Sequence, residues 1–487
     1  MKINKFIFKP VLLLLAFGLC LGCTEDYLEE TEEYNISSEN YFNSEEEYYN
    51  ALIGVYDVLQ STYVNVIIGE IASDNTVSGG ESATDVIGWQ QIDEMQHSPV
   101  NDNLDDVWDW NFAGVQRANY ILEFQDKTDF EGKEQIIAET RFLRAYFTFE
   151  LVKWFGPIPL KGDERFRLGD EQSVPRAPVN EVYDRIEADL QYAVENLDYT
   201  APQTGRATRG SAQALLGKAY LYQEEFDAAA EVLTNLIQNG PYQLVDFDIL
   251  FEQEGENSAE SIFEIQYNGA EGAGFECLQC SEGNVAVGFQ GIRNYSGPVF
   301  ESGFGFNLPV QEAYDMFSEN DIRRDLSVLD ISEWASETGA SYSEGYKHTG
   351  FFNRKYLPRQ NENVGDANLT QPNNYRAIRY ADVLLMAAEA LVRSNMNEET
   401  ARTYLNTVRE RAGLDPVEVS GNNLLEAVYD ERRKELIGEG HRFFDLVRTG
   451  RAEENIEGFT PGKNEIFPIP LEEIEFSQGN WEQNPGY

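Results

Sequence analysis

The sequence predicts a mainly α protein: helix pairs stacked into an α-helical scaffold, with a loop-rich irregular portion set into it. Three observations lead there. Apolar residues recur at helical spacing over 41–60, 104–125 and 134–155, and helical patterning returns from 380. Residues 210–243 read as two helices that cannot bury their apolar faces alone and so must stack on neighbours. From about 253 to 375 that periodicity disappears, and Gly, Ser, Asn and Tyr surround short strand-like pieces such as Ser261-Ile262-Phe263-Glu264-Ile265. A chain of 487 residues, 42% hydrophobic and 13% aromatic, can bury a sizeable core. Its charge argues against one class of partner. With 37 Lys plus Arg against 85 Asp plus Glu, the net −48 has the wrong sign for gripping nucleic-acid phosphates. Three scattered histidines, His97, His348 and His441, argue against a His-rich metal site.

At the N-terminus, Lys2, Lys5 and Lys9 precede an apolar run from Val11 to Leu21, the layout of a secretory signal too short to span a bilayer. The run ends in Cys20-Leu21-Gly22-Cys23, which resembles a bacterial lipobox with Cys23 bearing the lipid, although Cys20 stands where an aliphatic residue is usual. Ordinary cleavage that leaves a free thiol is the alternative. Loss of residues 1–22 removes three lysines and no acid, for a mature charge of −51. Acyl chains would hold this acidic protein at a membrane it would not otherwise seek. Cys277 and Cys280 then remain. A C-x-x-C pair in an exported chain reads as a local disulfide, since no second pair or nearby histidine completes a zinc site.

The helical elements follow in order. Trp108, Phe112, Val115 and Asn119 share one face, which places Trp108 in a core. Residues 134–155 form an amphipathic helix stopped by Gly156-Pro157-Ile158-Pro159. Leu216-Gly217-x-x-Tyr220, Ala229 and Pro241 resemble a tetratricopeptide repeat, with looser helix pairs of this sort at 111–155 and 380–412. The stretch 61–103, with Gly79-Gly80, Ser82, Thr84 and Trp89, reads as a long irregular segment. The expected organisation is a signal peptide at 1–22, a helical N-terminal region at 23–250, and a C-terminal region at 251–487, loop-rich over 253–375 and helical over 380–455, all packed as one globular unit.

Several strings, in order, resemble the SusD/RagB family of outer-membrane lipoproteins. They include Cys23-x-x-x-Tyr27-Leu28-Glu29, Glu139-x-Arg141-Phe142-Leu143-Arg144-Ala145-Tyr146 and Phe155-Gly156-x-Ile158-Pro159-Leu160. Further on come Asp321-x-Arg323-Arg324, Leu405-Asn406-x-Val408-Arg409-x-Arg411-Ala412-Gly413-Leu414 and Glu431-Arg432-Arg433-x-Glu435-Leu436. Glu439-Gly440-x-Arg442-Phe443-x-Asp445-Leu446-x-Arg448, Pro468-Ile469-Pro470 and Gln483-Asn484-Pro485-Gly486-Tyr487 complete the series. The resemblance implies a tetratricopeptide-like helical fold whose loops carry the ligand. It also implies a partner, a SusC-type TonB-dependent transporter over which the protein sits as a lid, and a ligand that is a glycan or, on the RagB branch, a peptide. The acidic Thr24–Glu30 stretch behind Cys23 looks like the surface-export signal of Bacteroidetes lipoproteins.

Sugar recognition needs flat aromatic faces with amide or carboxylate partners for the hydroxyls. Trp89 and Trp334 fall in stretches that read as irregular and are the stacking candidates, with Asp74 and Asn75 as hydrogen-bonding partners and Tyr295 and Tyr346 as further candidates. The alternative for each is packing within its own loop. The Glu431–Glu435 and Arg442–Arg448 strings read as a salt-bridge network rather than an anion clamp. Asn101–Asp106 reads as a solvated helix start rather than a calcium loop, since it lacks the glycine. No nucleophile elbow, phosphate loop, zinc-protease or EF-hand motif is present, so neither enzyme activity nor a cofactor or resident metal is expected.

The leading expectation is a lipid-anchored surface protein that binds oligosaccharide. Behind it stand a peptide-binding lid, a surface glycosidase or esterase, and a repeat scaffold that only joins proteins. A surface this acidic disfavours polyanions and favours neutral glycans, unless Arg293, Arg323, Arg354, Lys355 and Arg359 form a local basic patch.

Overall fold

The computed structural model describes residues 40–270, 275, 277–278, 281–360 and 369–487, the side chains of 62–64 aside. The signal segment, Cys20, Cys23, the acidic stretch behind it and Cys280 lie outside the described residues; Cys277 is disulfide-bonded.

The first half is a run of helices: α1 (Glu45–Asp57), α2 (Tyr63–Ile71), α3 (Ile87–Asp93), α4 (Asp102–Glu123), α5 (Lys133–Phe155), α6 (Val179–Asn196), α7 (Arg209–Tyr222) and α8 (Phe226–Asn239). Their ends are written locally. Ser44 caps α1, Asn101 caps α4 by accepting from the N–H groups of Asn103 and Leu104, and Thr208 with Ser211 forms a capping box on α7. The α5 helix stops where expected, at Gly156, whose φ of 69° suits glycine and whose N–H still bonds Val152 O.

Successive helices α4 to α8 pack each on the next, and α8 packs on α11 (Tyr380–Arg393), far along the chain. The array then continues through α12 (Glu398–Arg411) and α13 (Asn422–Leu436), followed by α14 (Arg442–Arg448) and α15 (Leu471–Phe476). Everything between α8 and α11 is therefore an excursion from the array. It holds short helices, among them α9 (Val285–Gln290) and α10 (Ile331–Thr338), and short strands. Its two ends are joined by an antiparallel pair, Ser261–Ile265 with Tyr375–Arg379, in the register Tyr375 to Ile265 and Arg379 to Ser261. One main core runs from Phe42 to Trp481, and a satellite core around Ile292, Phe300, Ile331 and Phe352 lies inside the excursion.

One expectation is corrected. The stretch 61–103 is not mainly irregular; it holds α2, α3 and the first residues of α4. Its Gly79, Gly80 and Ser82 punctuate only the link between α2 and α3, and α2 is too uniformly apolar (Val64, Val66, Ile67, Ile68, Ile71) to show a helical alternation of apolar and polar residues.

Buried acid chemistry yields a first prediction. Glu70 on α2 is fully buried, accepts the N–H of Gly440 at 2.8 Å, and is pushed up to about 7 by that burial. A carboxyl raised above its usual value stabilises the fold most when protonated, and that contribution is lost as pH rises towards 7 and beyond. Glu70→Gln is expected to flatten the fall in melting temperature between about pH 5 and pH 8. An unchanged slope in the variant would show that Glu70 does not carry the proton.

Candidate functional site

Three loops meet on one surface: 78–86 from the link between α2 and α3, and 293–307 and 339–348 from the excursion. Backbone bonds stitch them, with Gly80 N–H donating to Gly305 O and Tyr346 N–H donating to Gly80 O, both at 2.9 Å. Ser343 N–H likewise donates to Arg293 O, and Ser296 pairs with Ser341. The approach is close enough to demand glycine. A Cβ on Gly345 would sit 2.4 Å from Gly80 O, and one on Gly79 would sit 2.1 Å from Gly305 O. Lys347 closes the rim with ion pairs to Asp93 (2.7 Å) and Glu94 (3.0 Å).

Half-buried aromatic rings stand on this surface. Tyr346 has the Lys347 ammonium 5.7 Å from its ring centre, and Tyr342 lies 5.8 Å from the His348 ring. Around them Glu81, Asp85 and the Asn294–Ser343 side-chain pair (3.2 Å) offer acceptors and donors. The satellite core supports the aromatics from below, and both Tyr342 and Trp334 pack against it.

The sequence candidates divide. Trp334 lies on α10, capped by Asp330, rather than in an irregular segment. Its ring packs on Phe300 (5.3 Å), its Nε1 donates to Tyr295 Oη (2.9 Å), and its remaining surface lines a cleft of about 200 Å³ with Tyr314, Arg324, Glu333 and Arg354. Tyr295 is buried; its hydroxyl donates to Pro298 O while holding Trp334, so it positions rather than presents. Tyr346 is on the loop surface itself.

Trp89 is a correction. It sits on α3 at 2% exposure, with its ring edge-to-face with Phe289 (5.1 Å) and Phe306 (4.9 Å), so no face is open for stacking. Asp74 and Asn75 are corrected with it. Asp74 is clamped by Arg433 (3.0 Å) and Arg442 (2.7 Å), and fully buried Asn75 accepts from Arg433 Nε (2.8 Å). These two residues tie the 72–78 link to α13 and α14. The expected basic patch does not assemble as one surface: Arg293 stands at the loop site, 3.8 Å from Glu81, and Arg354 lines the Trp334 cleft, while the other three are paired inside. Arg323 is buried among Asp321, Glu431 and Glu435, Lys355 is paired with Glu439, and Arg359 with Glu252. Sequence reasoning missed Tyr342 and His348, whose signal was the spacing of aromatic rings in the Gly- and Ser-rich run 339–348.

The Glu431–Arg448 strings do form a salt-bridge network, but mostly not along one helix as their spacing implied. Arg379 reaches Glu260 (2.7 Å), Glu435 (2.9 Å) and Glu439 (2.8 Å), while Arg432 reaches Asp382 (2.7 Å) and Arg448 reaches Glu389 (2.6 Å). Only Arg448–Asp445 is a neighbouring-turn pair among these. Opposing charges hold Glu435 well below the usual carboxylate range and lower Glu439 as well, despite burial.

A helical array carrying a loop surface stitched by backbone bonds, on which half-buried aromatics stand beside carboxylate and amide groups, is an arrangement suited to binding. The comparisons agree. A SusD family model matches residues 285–466, and a family described as starch-binding associating with outer membrane matches 26–221. A solved laminarin binding SusD-like protein is 36% identical, with a TM-score of 0.85, over 92% of this chain and 100% of that one. A surface glycan-binding protein A from Bacteroides fluxus is 30% identical, with a TM-score of 0.82, over 92% and 100%. SusD-like protein P2 of Formosa agariphila is 27% identical over 82% of this chain and 83% of its own. The chain belongs to the SusD family, a family of binding proteins rather than enzymes.

Proposed function

We propose that the protein is a lipoprotein of the outer membrane, anchored through Cys23 and facing outward, that captures a neutral glucan of the laminarin type on the 78–86, 293–307 and 339–348 loops. It hands the glycan to a SusC-like TonB-dependent transporter, and its remaining cysteines pair as Cys277–Cys280. The observation that carries the reading is the pair of half-buried rings, Tyr342 and Tyr346, on a stitched loop surface with carboxylate and amide neighbours. Support for the ligand comes from the 36% identical laminarin binding relative and from a 26% identical surface glycan-binding protein A of Bacteroides thetaiotaomicron in complex with laminarihexaose. The −48 charge and the internal pairing of Arg323, Lys355 and Arg359 both disfavour a polyanion.

Titration calorimetry with laminarihexaose, other neutral and acidic polysaccharides and mixed peptides tests this. Tyr346→Ala is expected to weaken laminarihexaose about tenfold while the melting temperature stays near that of the parent, since a ring contact contributes about 0.5–1.5 kcal/mol beyond its area. Tyr342→Ala is expected to weaken binding similarly and also to lower the melting temperature, because its ring packs on the satellite core. Binding of peptides alone would move the protein to the RagB-like branch. A glycan hit indifferent to both substitutions would place the sugar elsewhere.

A further inference from the structure

A second cleft, of about 550 Å³, is built from none of the loop-site residues. It lies between α4, the loop carrying Phe166 and Glu171, and α15 with the C-terminal Trp481. Its floor is aromatic: half-buried Phe112 and Phe166 present ring surface, backed by Trp108, Trp110 and Trp481, which belong to the core, with Trp108 packed on Phe112 (4.6 Å) and Trp481 (6.2 Å). Asp106, Asp109, Glu171 and Glu473 line it with those rings, Glu171 also accepting the N–H of Gly169 (2.9 Å). Among the described residues no lysine, arginine or histidine lines the cleft, and Lys161, 5.9 Å from the Phe166 ring centre, is paired with Asp170 (2.6 Å). The Asn101–Asp106 acidic run, which opens α4, is thus continued by Asp109 along the helix into one wall of this cleft.

The electrostatics are those of a site awaiting positive charge. Burial and the surrounding carboxylates push Asp106 up to about 7 and Glu473 up to about 7, with Asp105 raised to about 6 for the same reasons. Elsewhere in this chain half-buried acids of this kind meet arginine, as Glu123 meets Arg165 (2.7 Å) and Asp163 meets Arg144 (2.9 Å). A neutral sugar would satisfy hydrogen bonds but leave the mutual repulsion. A bare metal ion would find rings where it needs oxygen ligands, and among the described residues no acid cluster has metal-holding geometry. A guanidinium or ammonium on an aliphatic stem fits both halves, with charge to the carboxylates and stem and cation to the ring faces. Exposed Leu168, Leu471 and Phe476, on the loop and helix that form the walls, extend the apolar surface beyond one side chain.

We propose that this cleft docks a basic segment of a partner protein, one arginine or lysine seated among Asp106, Asp109, Glu171 and Glu473 with apolar neighbours on the aromatic floor. The test uses the purified protein and the peptide acetyl-Leu-Arg-Leu-Arg-Leu-amide, followed by tryptophan fluorescence and calorimetry. The citrulline version of the peptide, isosteric but neutral, is the control. Saturable binding is expected, weakened about tenfold or more in the citrulline peptide and in Asp109→Asn, whose exposed position leaves folding intact. Glu473→Gln, checked by its melting curve, should weaken binding similarly, whereas Tyr346→Ala should leave it unchanged. No binding, equal binding of the citrulline peptide, or indifference to both acid substitutions overturns the proposal. Displacement of the peptide by laminarihexaose would also overturn it and make the cleft a second sugar subsite.

Discussion

Arg379→Ala is expected to be among the most destabilising single substitutions in this protein, lowering the unfolding free energy by about 3–5 kcal/mol. The guanidinium is 1% exposed and bonds Glu439 through Nε and Nη2 and Glu260 and Glu435 through Nη1. Its removal leaves carboxylates buried with less compensation, which costs more than the pairs contribute when intact. The position magnifies the effect. Arg379 ends one strand of the pair that joins the two ends of the excursion, Glu260 precedes the other, and Glu435 and Glu439 lie on or just beyond α13. Urea denaturation gives the readout, and a midpoint unchanged from the parent would remove the network from any role in stability. The same network fixes an acid limit. Glu435 and Glu439 are held below their usual values, so their contribution is present above the ordinary carboxylate range and is lost as pH falls below it. In Arg379→Ala that acid-side loss should be smaller, because part of the depression comes from Arg379 itself.

Trp89→Ala is expected to cost about 3–5 kcal/mol, as large-to-small substitutions of buried aromatics do. The ring fills the space between α3, Phe289 on α9 and Phe306, and Phe306 in turn lies against Gly80 at the loop junction. Trp89→Phe should recover a large part of that loss. Denaturant melts of the two variants decide the matter. A folded Trp89→Ala protein of parental stability that had lost only glycan binding would contradict the burial of this ring and return it to the binding surface. The expected pattern is the reverse: stability falls first, and any loss of binding follows from loosening beneath the 78–86 loop.

The helices were legible because their signals are local. The apolar spacing over 41–60, 104–125 and 134–155, the stop at Gly156 and the Leu216-Gly217-x-x-Tyr220 pattern are each read within a few turns, and the structure places those helices within a few residues of the expected bounds, whereas α2 and α3 were read as irregular. The candidate site was less legible. Trp334 and Trp89 looked alike as aromatics outside strong helical periodicity. One flanks a satellite core with part of its ring over a cleft, and the other is enclosed by residues some two hundred positions away. Asp74 and Asn75 were singled out for polar groups that the fold had already committed to Arg433 and Arg442.

The sequence by itself determined the helical scaffold, the position of the loop-rich excursion, the excess of negative charge and the series of strings that mark the SusD family. These depend on periodicity, composition and short-range capping, which act between near neighbours along the chain. Only the tertiary structure decided which aromatic rings stay at the surface, which arginines are spent inside, and that an acidic helix start opens onto a second aromatic cleft. Exposure and charge pairing are properties of what the chain brings alongside a residue, and in this protein those neighbours come from the other side of a long excursion.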